Sequence, residues 1–301
     1  MTATAELEQQ QRKLAQQGYI ADRQLCASLL LMQRIGRPLL LEGDAGVGKT
    51  EIASALARSE GCELIRLQCY EGLDINAAVY EWNYQHQLLS IKLIEQSHLK
   101  ASAKHPKESP EEHIFSRKYL LERPLLAAIS RPEPPVLLID EIDRADEEFE
   151  AFLLELLADF QISIPELGTI KATSIPLVIL TSNGTRELSD ALRRRCLYHY
   201  VDYPPFDKEL LIIQAKVPDI SQQLARQVVA FVQDIRKKSL RKIPGIAETL
   251  DWAVALMALD IDKLDQNPEA IRDSLVCLLK TREDMEAFSD VDLQRLIATS
   301  L

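Results

Sequence analysis

Strongly apolar runs alternate with amphipathic stretches through the first two thirds of the chain. Five runs are almost continuously apolar, which is typical of strands covered on both faces; they occupy residues 38–42, 62–69, 135–140, 175–183 and 196–202. Strands that alternate with helices in this way predict a parallel sheet with helices packed on it. The pattern therefore predicts an α/β fold for this part of the chain.

The alternation ends at the proline pair of residues 204–205, directly after Tyr203. From residue 208 onward the apolar positions recur with a helical period, as at Leu250, Val254, Met257 and Ile261. We therefore predict two domains, an α/β domain over residues 1–205 and an all-helical domain over residues 206–301.

Two segments interrupt the alternation within the first domain. In residues 72–117, Tyr80, Trp82 and Tyr84 alternate with polar residues, which predicts a strand or hairpin. Packing of these rings in a hairpin or core is favoured over a platform for bases, because basic neighbours are lacking; a loop that grips a partner is the third interpretation. Residues 160–172 contain two short β-prone runs and predict a second hairpin.

Composition and charge narrow the class of protein. The chain has 301 residues, 47% of them hydrophobic and 27% charged, with a formal net charge of −11. Charge alone should not attract such a protein to nucleic acid, which is not an expected partner. Its apolar runs are shorter than the roughly 18–20 residues of a membrane span, and its polar N-terminus does not look like a secretory signal. We therefore expect a cytoplasmic protein without a membrane span.

Cysteine and histidine positions do not indicate a metal centre. The five cysteines are scattered, odd in number and without a Cys-x-x-Cys pair, which predicts reduced thiols rather than a disulfide framework or zinc site. His98, His105 and His113 lack the spacing of metal ligands.

Residues 43–50 fit the phosphate-loop pattern G-x-x-x-x-G-K-[ST] between a strand-like run and a helix-prone segment. The glycines would let backbone N–H groups face phosphates at a helix N-terminus, while Lys49 reaches the β and γ oxygens and Thr50 offers its hydroxyl to Mg²⁺. An ordinary strand-to-helix turn is the alternative, and the spacing disfavours a G-x-G-x-x-G dinucleotide loop. We predict that the phosphates of a nucleotide are bound by Gly43, Asp44, Ala45, Gly46, Val47, Gly48, Lys49, Thr50 and Glu51, with Thr50 also a ligand of Mg²⁺.

Polar side chains end two of the later apolar runs. Asp140 and Glu141 close the third run, at the edge where a parallel sheet presents its ligands. Asp140 would hold Mg²⁺ through water, and Glu141 would polarise the attacking water. Asn183 ends the fourth run and would orient that water; the alternative is an ordinary turn residue.

Three arginines, Arg193–Arg195, precede the fifth run. An arginine that reaches the γ-phosphate from a neighbouring subunit can raise the rate by about 10³ to 10⁵. A solvated basic helix end, favoured by the helix dipole, is the alternative, and spacing does not select one arginine. The basic residues within 236–242 predict a second solvated face; the alternative places Arg241 or Lys242 near the nucleotide.

The segments GDAGVGKT, VLLIDEID, LTSN and DALRRRC resemble, in order and spacing, those of the AAA+ ATPases over nearly the whole chain. An ABC-type LSGGQ segment and a guanine-specific NKxD motif are lacking. The chain is similar to the MoxR group, and most to its CoxD-like members, through EGDAGVGKTEIA, AVYEWNYQHQLL, LLIDEIDRADEEFEAFLLELL and IPGIAETLDW. The resemblance implies a P-loop core with a five-stranded parallel sheet in the order 5-1-4-3-2, an insertion in helix 2, a hairpin before the Asn183 strand, and an all-helical lid.

The resemblance also implies roles and partners. A finger arginine in an Asp-Arg-Phe context maps onto Arg194-Arg195-Cys196, which favours Arg195 over Arg194, although cysteine replaces phenylalanine. Many relatives carry a lid arginine after a Ser-Pro pair, where this chain has Ile243-Pro244-Gly245. A hexameric ring, a von Willebrand factor A domain partner, and the maturation or metal-centre assembly of a client metalloenzyme are implied. The alternatives are a nucleic-acid-directed loader or restriction-type motor and a nucleotide-gated scaffold.

Overall fold

The computed structural model describes residues 3–98 and 114–300. The described chain divides into two compact units. The first comprises the described parts of Met1–Leu30, Leu41–Ser59 and His199–Leu301, and the second those of Leu31–Leu40 and Glu60–Tyr198. The boundary at residue 205 between an α/β and a helical domain stays a prediction.

Strands in the described residues form one large sheet and two small ones. Their bounds are β1 (Leu39–Glu42), β2 (Leu64–Gln68), β3 (Tyr80–Trp82), β4 (Leu120–Glu122), β5 (Val136–Asp140), β6 (Gln161–Ile164), β7 (Gly168–Lys171), β8 (Leu177–Ser182) and β9 (Leu197–Tyr200). The large sheet has the order β2-β5-β8-β1-β9. Counted among themselves along the chain, its strands run 5-1-4-3-2 from the β9 edge, which confirms the predicted order.

Strand β5 is paired on both of its edges in the large sheet. This strand pairs in parallel with β2 and with β8, so that Gln68 lies opposite Asp140 and Leu137 lies opposite Val178. Every residue of β5 is buried, as expected for a strand covered on both faces. The five apolar runs of the sequence correspond to the five strands of this sheet. In the described part of the chain, only β5, β8 and β1 lie between two other strands; the edge strands β2 and β9 have exposed positions, so the expectation that they are covered on both faces is wrong.

Helices account for most of the remaining described residues. Their bounds are α1 (Ala3–Gln16), α2 (Arg23–Ile35), α3 (Lys49–Glu60), α4 (Ile75–Val79), α5 (Tyr84–His98), α6 (Pro124–Ser130), α7 (Glu147–Asp159), α8 (Asp190–Arg195), α9 (Phe206–Lys216), α10 (Gln222–Arg236), α11 (Ile246–Ala258), α12 (Pro268–Ser274), α13 (Arg282–Ala287) and α14 (Asp290–Ser300). Several start at a capping side chain that satisfies an otherwise unpaired N–H group. Asp146 accepts from Phe149 before α7, and Ser221 accepts from Leu224 before α10.

Of the two small sheets in the second unit, the β6–β7 sheet lies where the sequence predicts a hairpin. Strand β3 lies within the predicted segment 72–117, but its partner β4 lies beyond that segment. β6 and β7 pair antiparallel within residues 160–172, with Ile164 opposite Gly168 at the turn. β3 pairs antiparallel with β4, and the buried Trp82 ring meets Tyr80 and Phe115 edge to face. Core packing of Trp82 is therefore confirmed, whereas Tyr84 is exposed at the start of α5.

The helical segment of the first unit, residues 206–300, has its own hydrophobic core. Phe231 of α10 and Trp252 of α11 are both fully buried, with ring centroids 4.8 Å apart. Leucine, isoleucine and valine side chains from α9 to α14 surround these rings. Helical periodicity after residue 208 therefore reflects the packing of these helices around one hydrophobic core. None of the helices described in either unit is long and apolar enough to cross a membrane.

Candidate functional site

The predicted phosphate loop connects β1 to α3 in the first unit. Gly46 and Gly48 have φ values of +82° and +92°, which glycine adopts without the steric cost of a side chain. At Gly43 a Cβ atom would lie 2.2 Å from the carbonyl oxygen of Val201, the residue that follows β9, so the close approach of this backbone also requires glycine. The loop therefore has the local geometry that a phosphate cradle requires.

Lys49 is the first residue of α3, and its ammonium group points back into the loop. Nζ donates hydrogen bonds of 2.7 Å to the carbonyl oxygens of Gly43 and Asp44, and the side chain is buried. Thr50 follows in the first turn of the helix and is half-buried. Glu51 accepts hydrogen bonds from Arg58 at 2.9 Å and from Lys216 at 3.2 Å, so its carboxylate is paired with basic side chains of the same unit. The positive charge at the helix N-terminus suits an anionic phosphate chain.

Asp140 ends β5 in the second unit and is buried. Its Oδ1 accepts from the Thr181 hydroxyl at 2.5 Å, and its Oδ2 accepts from Arg66 Nη2 at 2.5 Å. Thr181 lies on the neighbouring strand β8, and Arg66 lies on β2. The carboxylate is therefore held from both flanking strands, with the hard oxygen donors that Mg²⁺ prefers.

Glu141 follows Asp140 in the left-handed backbone conformation, with φ 56° and ψ 50°. For a residue with a side chain this conformation is uncommon, and it recurs at functional sites. Its N–H donates to the Thr181 hydroxyl at 2.9 Å. The carboxylate accepts from Gln68 at 3.0 Å and from Arg144 at 3.1 Å. These contacts hold the Glu141 carboxylate directly after the end of β5.

Asn183 lies just past the end of β8, where Asp143 organises the backbone. Asp143 Oδ2 accepts from the N–H groups of Asn183 at 3.2 Å and Thr185 at 3.0 Å, and from the Thr185 hydroxyl at 2.6 Å. Burial acts to raise the pKa of Asp143, but the hydrogen bonds from Thr185 and Asn183 outweigh it and lower the pKa. An ionised buried carboxylate thus positions the turn that carries Asn183.

The three arginines occupy the last turn of α8. Arg195 Nη1 donates to the Leu154 carbonyl oxygen at 2.8 Å, which ties its guanidinium to α7 of the same chain. Arg194 is exposed, and its guanidinium makes no hydrogen bond or ion pair to the described residues. Arg37 donates to the carbonyl oxygens of both Arg194 and Arg195, which fixes this end of the helix.

The basic residues of the helical segment separate into two groups. Arg241 is exposed and donates to Glu283 at 2.8 Å, and the backbone N–H of Lys242 donates to Asp284. Arg236 was expected on a solvated face, and this expectation is wrong: its side chain is 7% exposed. It is buried because Glu209, itself fully buried, accepts from both of its terminal nitrogens at 2.7 Å.

The cysteine and histidine side chains of the described residues do not form a metal-binding cluster. Each of the five cysteines is free, and Cys26, Cys69 and Cys196 are buried. Burial raises the pKa of Cys26 to about 11 and that of Cys69 to about 12. His105 and His113 lie outside the described residues. Within those residues no group of three or more histidine, cysteine, aspartate or glutamate side chains has a metal-binding arrangement.

Comparison with known protein families agrees with this arrangement of strands and motifs. The model of the family described as AAA domain, dynein-related subfamily, matches residues 38–196, which is more than half of the chain. The chain belongs to this family. The matched range of this AAA protein includes the glycine loop, Asp140, Glu141, Asn183 and the three arginines.

Similar proteins of known sequence come from staphylococci. An uncharacterized protein of Staphylococcus epidermidis is 26% identical over 264 residues, covering 84% of this chain and 89% of that protein. An uncharacterized protein of Staphylococcus aureus is 28% identical over 263 residues, covering 84% of this chain and 88% of that protein. Among solved structures, the RuvB Holliday junction branch migration motor of Thermotoga maritima has 16% identity and a TM-score of 0.46, covering 84% of this chain and 67% of that chain.

Sequence reasoning missed the residues that hold the two carboxylates. Arg66 and Gln68 lie on β2, about 70 positions before the carboxylates, and Thr181 lies about 40 positions after them. Only strand pairing brings them together, because Gln68 lies opposite Asp140 in the parallel register. The polar residues that interrupt the apolar pattern of β2 are the one signal in the sequence that could have pointed to them.

Proposed function

We propose that this AAA protein is a Mg²⁺-dependent ATPase that hydrolyses ATP to ADP and phosphate. The observation that carries the proposal is the glycine loop, which places the buried Lys49 ammonium at the N-terminus of α3. Such a loop presents N–H groups and positive charge to a phosphate chain. The residues proposed to bind ATP are Gly43, Asp44, Ala45, Gly46, Val47, Gly48, Lys49, Thr50 and Glu51.

The chain also supplies the groups that hydrolysis requires. We assign Thr50 and Asp140 to Mg²⁺, which when bound neutralises charge that develops on the phosphates. Glu141 accepts a proton from the attacking water, and Asn183 orients that water. The hydroxyl of Thr181 bonds the Asp140 carboxylate and the backbone N–H of Glu141, so it positions that carboxylate and the backbone that carries Glu141.

Turnover of the Glu141→Gln variant tests these roles. An amide cannot accept the proton, and general-base catalysis contributes about 10² to 10⁴ in rate. We expect a loss of hydrolysis in that range with ATP binding retained, whereas Lys49→Ala should lose ATP binding. Hydrolysis by Glu141→Gln within tenfold of the wild-type rate contradicts the role of Glu141. Failure of the wild-type protein to hydrolyse ATP contradicts the proposed function.

A ring of copies, six as the AAA+ resemblance implies, would complete each site with an arginine of the neighbour. The exposed guanidinium of Arg194 supports this residue as the finger, because Arg195 is already bonded to Leu154 of its own chain. Specific ATPase activity should then rise with protein concentration as the ring assembles. A nucleotide-gated scaffold would instead bind ATP and stay at a flat, low rate.

The MoxR-like and CoxD-like segments support a further proposal on the client. Hydrolysis would drive the maturation or metal-centre assembly of a client metalloenzyme, with a von Willebrand factor A domain protein as partner. Tagged Glu141→Gln protein incubated with ATP in a lysate of its own cells should retain these partners, and Lys49→Ala should not. Recovery of nucleic acid or of replication proteins only with Glu141→Gln favours a nucleic-acid motor instead.

A further inference from the structure

The turn before α11 lies directly against the phosphate loop within the first unit. The Ile246 N–H donates a hydrogen bond of 2.9 Å to the Gly46 carbonyl oxygen. A Cβ atom on Gly245 would lie 2.7 Å from both the Cα and the carbonyl oxygen of Gly46. Because φ of Gly245 is −85°, its own backbone would accept alanine. The phosphate loop is therefore what excludes a side chain at this position.

Arg236 holds this turn from the opposite, buried side. Its Nε donates to the Pro244 carbonyl oxygen at 2.8 Å, one residue before Gly245. Its two terminal nitrogens donate to the two oxygens of Glu209, and one of them also donates to the Thr249 hydroxyl at 3.1 Å. Lysine, a point charge with a flexible stem, cannot reproduce this planar fork.

The ion pair of Arg236 and Glu209 also connects the segments that pack against the buried side of this turn. Gln233 of α10 donates to Glu209 at 2.7 Å and to the Pro204 carbonyl oxygen at 2.9 Å. The Tyr203 ring lies 4.8 Å from the Arg236 guanidinium carbon, in cation–π range. The connection after β9, helices α9 and α10, and the start of α11 are thus fixed by one buried cluster.

We propose that Arg236 is a positioning residue that sets the Pro244–Ile246 turn against Gly46 and so couples the phosphate loop to the helical segment. The exposed Arg241, which pairs with Glu283, does not contact this turn through its guanidinium. A loop already held in its working conformation loses less entropy on binding a ligand. The effect on ATP rests on the proposed ATPase function, whereas the effect on the turn does not.

Hydrogen exchange without nucleotide tests the positioning step. The variants are Arg236→Lys and Gly245→Ala, which disturb the turn from its two sides, with Arg241→Lys as the matched control. We expect exchange of the Ile246 amide to become at least about tenfold faster in both variants, since its partner Gly46 is displaced, and to stay at the wild-type rate in the control. Wild-type protection of Ile246 in folded Arg236→Lys, as judged by circular dichroism, overturns the proposal.

Binding of the fluorescent analogue mant-ATP with Mg²⁺ tests the coupling. We expect Kd to rise about tenfold in Arg236→Lys and Gly245→Ala, equivalent to about 1.4 kcal/mol, and to stay within twofold in Arg241→Lys. Faster exchange of Ile246 with an unchanged Kd overturns the coupling. If the wild-type protein itself does not bind mant-ATP, the proposed ATPase function fails, and the exchange measurement alone decides the role of Arg236.

Discussion

Replacement of Arg236 by methionine is expected to destabilise the first unit strongly. Among the described residues, Gln233 and Thr249 would be the side-chain hydrogen-bond donors left to the fully buried Glu209. Breaking a buried ion pair by removing one partner costs about 3–5 kcal/mol, because the other charge is left uncompensated. The Pro244 carbonyl oxygen also loses its donor. Since the total stability of a domain is about 5–15 kcal/mol, this loss is a large fraction of it.

Two companion variants separate the ion pair from general damage to the core. Arg236→Met/Glu209→Leu removes both charges and fills the space with apolar groups, an exchange that is often neutral or stabilising. We expect it to recover most of the loss. Arg241→Met breaks the exposed pair with Glu283 in the same region, and we expect a cost below about 1 kcal/mol.

Urea unfolding followed by tryptophan fluorescence measures these free energies. The chain has two tryptophans, so in a Trp82→Phe background Trp252 alone reports on the core of the helical segment. The transition that Trp252 reports is the one to compare, since a chain of two units need not unfold in one step. A cost below about 1 kcal/mol for Arg236→Met, or a double variant as unstable as the single one, refutes the reasoning.

Three further predictions concern the loop, a buried histidine and the arginines. Gly43→Ala places a Cβ atom 2.2 Å from the Val201 carbonyl oxygen, so thermal unfolding should show that the free energy of unfolding falls by about 1–3 kcal/mol. Burial lowers the pKa of His199 in the folded protein. Its neutral form therefore contributes all of its stabilisation above about pH 6.5, and this contribution decreases as the pH falls towards the lowered folded-state pKa. In unfolding measured against pH, His199→Gln should flatten this decrease. Arg194→Ala should lower the assembled ATPase rate by about 10³ or more, and Arg195→Ala by less.

Each of these has a clear contrary outcome. A wild-type melting temperature for Gly43→Ala would mean that the backbone at Val201 does not approach the loop so closely. An unchanged slope for His199→Gln below pH 6.5 would show that this pH dependence of stability does not come from His199. Full activity of Arg194→Ala at every protein concentration would exclude it as a finger in trans.

The phosphate loop could be predicted from the sequence because its requirements are local. Glycine spacing determines where the backbone can adopt positive φ, and the structure places Gly46 and Gly48 in that conformation. The central strands were recognisable for a similar reason, since a strand covered on both faces must be apolar at every position. The order of those strands came from the family resemblance, because periodicity carries no information on which strands are neighbours.

The partners of the charged residues could not be predicted in this way. Arg236 belongs to a run of basic residues that looks solvated, yet Glu209 of a different helix neutralises it inside the core. Arg66 and Asp140 are 74 positions apart and meet only because β2 and β5 are paired. Charge along the chain is thus a poor guide to burial where an opposite charge arrives from elsewhere in the fold.

The sequence by itself determined the α/β class, the loop over residues 43–50, the carboxylates that end β5, and the helical nature of residues 206–300. Each of these depends on residue type and short-range spacing, which limit the backbone locally. Only the tertiary structure decided that the turn at Gly245 lies against Gly46 and that Arg236 holds it there. The contact between Gly245 and Gly46 joins residues about 200 positions apart, and packing, not local preference, brings such residues together.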